Sequence, residues 1–354
     1  MSESINAFRS VQRRQVCLHP EASGTECRGG IVQAHTVQMN LLRKIARDGH
    51  VYGFPLDYGA IVSSQGVPRP RLMGIGQAST FTGFCAKHDD QLFADIEKSP
   101  IRATGRHAWL LAYRALCREL FAKEGGVLLD PYRRTLDRGR SVLEQIALQE
   151  QTADLMTGTS AGLEELRALR RRYDRMLADG DYSSVKYCVV WLQHPPDMMC
   201  SGCTNPDWDY SGRKLQDLSD LSVPMHDIML SLLASEERGC AFFSWLVEEE
   251  RVCAQLIGSL LSLPRDRIPD AIVRFVVSNF ENQFWRPDWW ESLGAQNQEA
   301  LKQRFLLGVH PLIPISPDYL CDDGVRLVDW RITCVETNAG PLTDLAQALG
   351  VALW

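Results

Sequence analysis

The 354-residue chain has no run of about 18 or more uncharged apolar residues, so no transmembrane helix is expected. Its opening, MSESINAFRSVQRRQV, lacks the apolar stretch of a secretory leader, so the expected location is the cytoplasm. No self-similarity at a solenoid or propeller period is visible, and no low-complexity tract. The glycine patterns of P-loop, Rossmann and nucleophile-elbow enzymes are also missing, which sets aside those three chemistries. Cysteine is not scarce, but 11 is an odd number. Without a leader, that count argues against a complete disulfide framework and for reduced thiols or metal ligands. With 45% hydrophobic and 23% charged residues, disorder and fibrous repeats are excluded, and the length suggests two or three domains.

Charge and ligand residues are spread unevenly. Residues 1–180 carry 25 Lys/Arg and 20 Asp/Glu, whereas residues 181–354 carry 13 and 24, so the net −6 divides into +5 and −11. A basic part suits contact with nucleic acid and an acidic part suits a protein partner, although two solvated surfaces would look the same. No membrane partner is expected. Four of the eight His (His19, His35, His50, His88) and three of the 11 Cys (Cys17, Cys27, Cys85) fall within residues 1–90. That stretch is Gly-rich and poor in long helical patterns. It reads as a small domain stabilised by something other than a large apolar core.

Periodicity supplies the coarse elements. Residues 28–38 read as a turn and short strand, 39–48 as a helix stopped by Gly49, and 50–76 as a hairpin or long loop. A helix capped by Ser79 or Thr80 is expected to start near Phe84. Residues 101–126 and then 133–156 with 160–178 read as long antiparallel helices, partly coiled-coil-like. Strands are expected at 184–194 and 240–246 and in the tail 327–335, and helices at 249–263 and 270–285. The fold class is α+β: a zinc-stabilised treble-clef-like domain (1–98), a helical hairpin (99–180) and a C-terminal mixed α/β domain (181–354).

The chemistry concentrates in CLHPEASGTECRGGIVQAHTVQ and, about fifty residues later, STFTGFCAKHDD. Cys17, Cys27, Cys85 and His88 form a candidate tetrahedral S/N set for Zn²⁺. The C-x2-H pair at a helix start puts a thiolate and an imidazole on one turn. His19 competes for one position, and His35 is a further candidate ligand. A structural zinc ion would contribute folding free energy directly. A knuckle, a strand ending in His, a loop, and a helix opening with two more ligands describe a treble clef. Here the sequence resembles the HNH, or His-Me finger, nucleases over about 75 residues. The resemblance implies that Cys17, Cys27, Cys85 and His88 hold the structural zinc and that His35 is the general base that activates water. It also puts Asp89 in the place of the last His of the family, suited to a catalytic Mg²⁺ or Mn²⁺, and Ser79 in the place of an Asn. The sequence departs from the family pattern in its C-x9-C first pair, in Ala34 before the base and in the long loop before Cys85.

Weaker signals lie elsewhere. Cys200-x2-Cys203 is half of a possible second metal site, with His194 or His226 to complete it, a redox pair, or an ordinary turn. Arg102-x4-His107 matches the short motif of HEPN ribonucleases. Trp285, Trp289 and Trp290 beside Arg286 suit either base stacking or core packing. The expected function is metal-dependent hydrolysis of nucleic-acid phosphodiesters, in a defence or toxin setting, with the basic residues of 1–180 holding the phosphates. The alternatives are a non-catalytic zinc module that binds nucleic acid or protein, and an enzyme housed in the C-terminal domain.

Overall fold

A computed structural model describes residues 6, 10, 11, 13–54, 69–135, 137–220, 222–309 and 315–343. It contains helix and sheet together, as an α+β chain should. The N-terminal strands are β1 (Ile31–His35), β2 (His50–Gly53), β3 (Arg71–Gly74) and β4 (Thr80–Cys85), with a short helix α1 (Met39–Leu42). Helices α2 (Ala86–Lys98), α3 (Gly105–Val127), α4 (Asp130–Arg133) and α5 (Val142–Asp179) follow. Then come β5 (Val185–Leu192), β6 (Met198–Thr204), β7 (Ile228–Ser235), β8 (Arg238–Leu246), α6 (Glu250–Leu261), α7 (Ile268–Asn279), β9 (Gln283–Trp285), α8 (Pro287–Ser292), α9 (Gly294–Val309) and β10 (Ile332–Thr337).

Two sheets form. β1 pairs antiparallel with β4, with Ile31 opposite Cys85 and His35 opposite Thr80. The second sheet has eight strands in the order β10-β5-β8-β7-β6-β9-β2-β3. Its central strands bury both faces. On β8, Ala241, Phe243 and Trp245 enter one apolar core, and Cys240, Phe242 and Leu246 enter the other. This period of two follows from the pleat. Helices α6, α7 and α9 cover the first face, and α2, α3 and the second half of α5 cover the other. The result is a three-layer sandwich. The β2–β3 hairpin joins the sheet through β9, where Tyr52 lies opposite Trp285 and Gly53 opposite Phe284. One sheet therefore draws strands from both sides of the boundary read at residue 98.

Several elements differ from expectation for identifiable reasons. The chain from Thr80 to Cys85 is a strand, not a helix start, because it pairs with β1 through a register shift that lets both Phe81 and Phe84 be buried; the helix begins only at Ala86. Only Met39–Leu42 of the expected helix 39–48 is helical, since Asp48 and Gly49, at φ 50° and 73°, turn the chain into β2. The expected hairpin at 50–76 has its paired ends in β2 and β3, while residues 55–68 lie outside the described residues. The two segments 133–156 and 160–178 merge into α5, because no proline interrupts Val142–Asp179 and Ser141 caps its start with a reciprocal Glu144 box.

Candidate metal centre and adjoining cleft

Three backbone features bring the sulfur atoms together. Residues 16–18 run beside β4, with Val16 N–H donating to Thr82 O (3.1 Å) and Leu18 N–H to Gly83 O (2.9 Å), which sets Cys17 next to Cys85. The loop from His19 to Cys27 closes on itself through Ala22 N–H to His19 O and Cys27 N–H to Ser23 O. Gly29 and Gly30, at φ 79° and 70°, then bring the chain against the helix start, where a Cβ on Gly29 would lie 2.8 Å from the Ala86 Cβ. The carbonyls of Gly30 and Arg28 accept from the Ala86 and Lys87 N–H groups, so the loop satisfies the first turn of α2.

Cys17, Cys27, Cys85 and His88 converge, with their ligand atoms all within 4.8 Å of one another. The Cys17, Cys27 and Cys85 sulfurs lie 3.3, 3.8 and 3.3 Å from His88 Nδ1. A tetrahedral zinc with ordinary bond lengths has S···N edges of about 3.6 Å, so the donor set matches in element and in spacing. These four residues can hold a metal ion. Burial opposes ionisation of Cys85, but backbone N–H groups of His88 and Arg28 bring its thiol below the ordinary range. Burial pushes Cys17 up to about 11, so a bound cation must displace that proton. His19 is not in the set: its ring stacks on His88, centroids 4.0 Å apart and 8° from parallel.

His35 also stays out of the ligand set. Its Nε2 lies 3.2 Å from the Ile75 carbonyl, which can only accept, so Nε2 carries a hydrogen, and the Gln33 backbone also hydrogen-bonds the ring. Burial lowers the His35 pKa, and the Ile75 hydrogen bond opposes it only in part. His35 and Asp89 line one cleft of about 310 Å³, together with Gln33, Asn40, Glu97 and Lys98. Asp89 is raised by burial, against the pull of Arg114. Its Oδ1 is buried with no hydrogen-bond partner and lies 3.7 Å from Arg114 Nη2. That guanidinium is 1% exposed, stacks on Phe93 at 3.8 Å and bonds Glu97 Oε1 at 2.5 Å. Asp89, Phe93 and Glu97 recur every fourth residue on α2, which is a single helical stripe. That spacing is visible in the sequence, but Arg114 comes from a different helix and only the packing of α2 on α3 reveals it.

Ser79 is elsewhere. Its hydroxyl accepts from Val37 N–H (2.8 Å), contacts Thr36 Oγ1 (2.8 Å) and donates to Asn282 (3.1 Å), inside the core at φ 62°. This network leaves the hydroxyl no free valence for a ligand. Cys200 and Cys203 lie on β6, three residues apart, so their side chains point to opposite faces of the sheet and cannot share a metal. Among the described residues the only other metal-type cluster is His19, Glu21 and His88. His107 Nδ1 accepts from Arg102 N–H (3.0 Å), which makes the R-x4-H pair a helix-start contact rather than an open catalytic pair. Trp285, Trp289 and Trp290 are packed into the core with at most 8% exposure, so base stacking is not open to them. Comparison of the chain with protein-family models, curated proteins and solved structures finds no match.

Proposed function

We propose that the chain is a metal-dependent nucleic-acid phosphodiesterase, built on a zinc-stabilised treble-clef-like core of the HNH kind. The observation that carries this reading is that His35 is left out of the Cys₃His set and faces a cleft shared with Asp89. A neutral, half-buried imidazole with its Nε2–H anchored on a carbonyl would accept a proton at Nδ1. In the proposed step His35 takes the proton of a water whose oxygen bonds to phosphorus, the ester P–O bond breaks, and the departing alkoxide is protonated from solvent. Asp89 offers one carboxylate oxygen that accepts no hydrogen bond and faces only the Arg114 guanidinium at 3.7 Å, which suits a Mg²⁺ or Mn²⁺ ion that keeps several waters and takes one or two carboxylates. Such an ion would neutralise charge developing on the phosphate. The basic residues of 1–180 would meet the nucleic-acid backbone, and the acidic part 181–354 a protein partner.

The deciding experiment is His35→Ala with zinc content measured alongside Mn²⁺-dependent cleavage of single- and double-stranded DNA and RNA. Loss of cleavage by about a hundredfold or more with zinc and fold retained supports the reading. Absence of cleavage in the wild-type chain, unchanged cleavage in the variant, or loss of zinc overturns it. One observation favours a second reading, a non-catalytic zinc module that binds nucleic acid or a protein. Arg114 already occupies Glu97 and neutralises part of the carboxylate charge that a cation would need. On that reading the wild-type chain binds nucleic acid without cutting it.

A further inference from the structure

Five of the 11 thiols are half-exposed: Cys17, Cys27, Cys203, Cys321 and Cys334. Two of these, Cys17 and Cys27, stand in one cluster with Cys85 and His88, every ligand atom within 4.8 Å of the others. The third thiol of the cluster has different surroundings. Cys85 is 1% exposed, and its strand is fixed by pairing with β1, where Ile31 lies opposite. Cys27 instead ends an exposed loop, residues 20–26. That loop bonds within itself, through Ala22 N–H to His19 O, Cys27 N–H to Ser23 O and Glu26 N–H to the Ser23 hydroxyl. Its tie to α2 is the Lys87–Glu26 ion pair at 2.8 Å, and ion pairs open to solvent are weak. An S–S bond of about 2.05 Å needs the Cys17 and Cys27 sulfurs to approach by about 3 Å at most. Rotation of both side chains and a small movement of this loop supply that approach.

Oxidation and metal binding compete for the same sulfurs. We propose that Cys17 and Cys27 are a redox pair whose reversible disulfide excludes the metal ion. The oxidant is hydrogen peroxide. The thiolate of one cysteine attacks a peroxide oxygen, the O–O bond breaks and hydroxide leaves, giving a sulfenic acid. The second thiolate attacks that sulfur, the S–O bond breaks and a second hydroxide leaves as the disulfide forms. Two thiols lose two electrons, and one peroxide becomes two waters once the hydroxides take up the two thiol protons. With those sulfurs bonded to each other, Cys85 and His88 are the donors that remain in the set, and two donors do not close a structural zinc site. Burial shields the Cys85 thiol from the oxidant, and a dithiol reductant restores the four donors. The pair depends on the metal site and is independent of the phosphodiesterase reading.

The test treats the full zinc-loaded chain with a small excess of hydrogen peroxide. A colorimetric chelator reads zinc release, and peptide mass spectrometry maps disulfides. Release of about one zinc per chain together with a Cys17–Cys27 disulfide, and rebinding of zinc after a dithiol, is the expected result. Cys85→Ser separates the pair from the metal: it lacks a ligand, yet it should still form the Cys17–Cys27 disulfide. Zinc retained by the oxidised chain, a disulfide that joins Cys85 instead, or zinc loss through sulfinic or sulfonic acids that the dithiol does not reverse overturns the proposal. A wild-type chain that takes up no zinc overturns it as well. So does a Cys85→Ser chain, shown to be folded by far-UV circular dichroism, whose Cys17 and Cys27 stay reduced under peroxide.

Discussion

At the scale of single residues, the candidate metal ligands and one buried acid behave in opposite ways. Cys85 and His88 contribute two of four donors from one turn, so losing either leaves the set one donor short of a tetrahedral site. Cys85→Ser and His88→Ala should each lower bound zinc from about one equivalent to near zero, as read by elemental analysis of the purified chain. Asp227 shows the reverse problem. It is buried at the start of β7, with Glu249 and Glu165 nearby, and burial raises its pKa to about 7 despite hydrogen bonds from Cys203 and Asn205. The unfolded chain releases this proton near pH 4 and the folded chain only near pH 7, so stability falls as pH rises through that window. Asp227→Asn should match the wild type near pH 4 and exceed it by up to about 4 kcal/mol above pH 7. Urea unfolding at the two pH values measures the difference. For His35 the depressed pKa keeps the imidazole neutral at physiological pH. Any cleavage activity should therefore rise with pH through a midpoint below the ordinary histidine value of about 6.5; a midpoint above that value would remove His35 from the role of base.

At the scale of elements, α5 divides into two halves with different physics. Its second half buries Leu163, Leu166, Leu169 and Tyr173. Its first half leaves Val142 and Leu143 at 70% and 80% exposure. Leu166→Ala should cost about 2–4 kcal/mol in chemical denaturation, while Leu143→Ala should change stability by less than about 0.5 kcal/mol. Hydrophobic periodicity alone does not separate these halves, because both carry leucine at helical spacing. The same limit explains β4. Thr80–Cys85 has residues that suit a helix beginning or a strand, and pairing with β1 decides for the strand.

At the scale of the whole molecule, the N-terminal part is woven into the large sheet. β2 extends that sheet through β9, and Val51, Phe84 and Phe93 share a core with Phe242 and Phe284. Removing residues 1–98 should expose this face of the sheet, and the remaining chain should be insoluble or lack a cooperative thermal transition. A soluble 99–354 fragment with a sharp transition would show that the sheet side stands alone.

The sequence by itself singled out the four residues that can hold a metal, because a thiolate and an imidazole three residues apart beside a loop with two more thiols is a local pattern with few other uses, while the exclusion of His19 and His35 from the set came only from the structure. It also determined α3, α6 and the strands β5 and β8, whose apolar periods are strong and short-range. Tertiary structure alone decided the rest. Ser79 looks like a site residue until Thr36 and Asn282, 43 and 203 positions away, enclose it. Cys200 and Cys203 look like a ligand pair until the strand separates their faces. Arg114 joins Asp89 and Glu97 only because α3 crosses α2. Ligand spacing is a property of a few neighbouring residues, whereas the burial and partnering of a side chain depend on segments the local sequence does not specify.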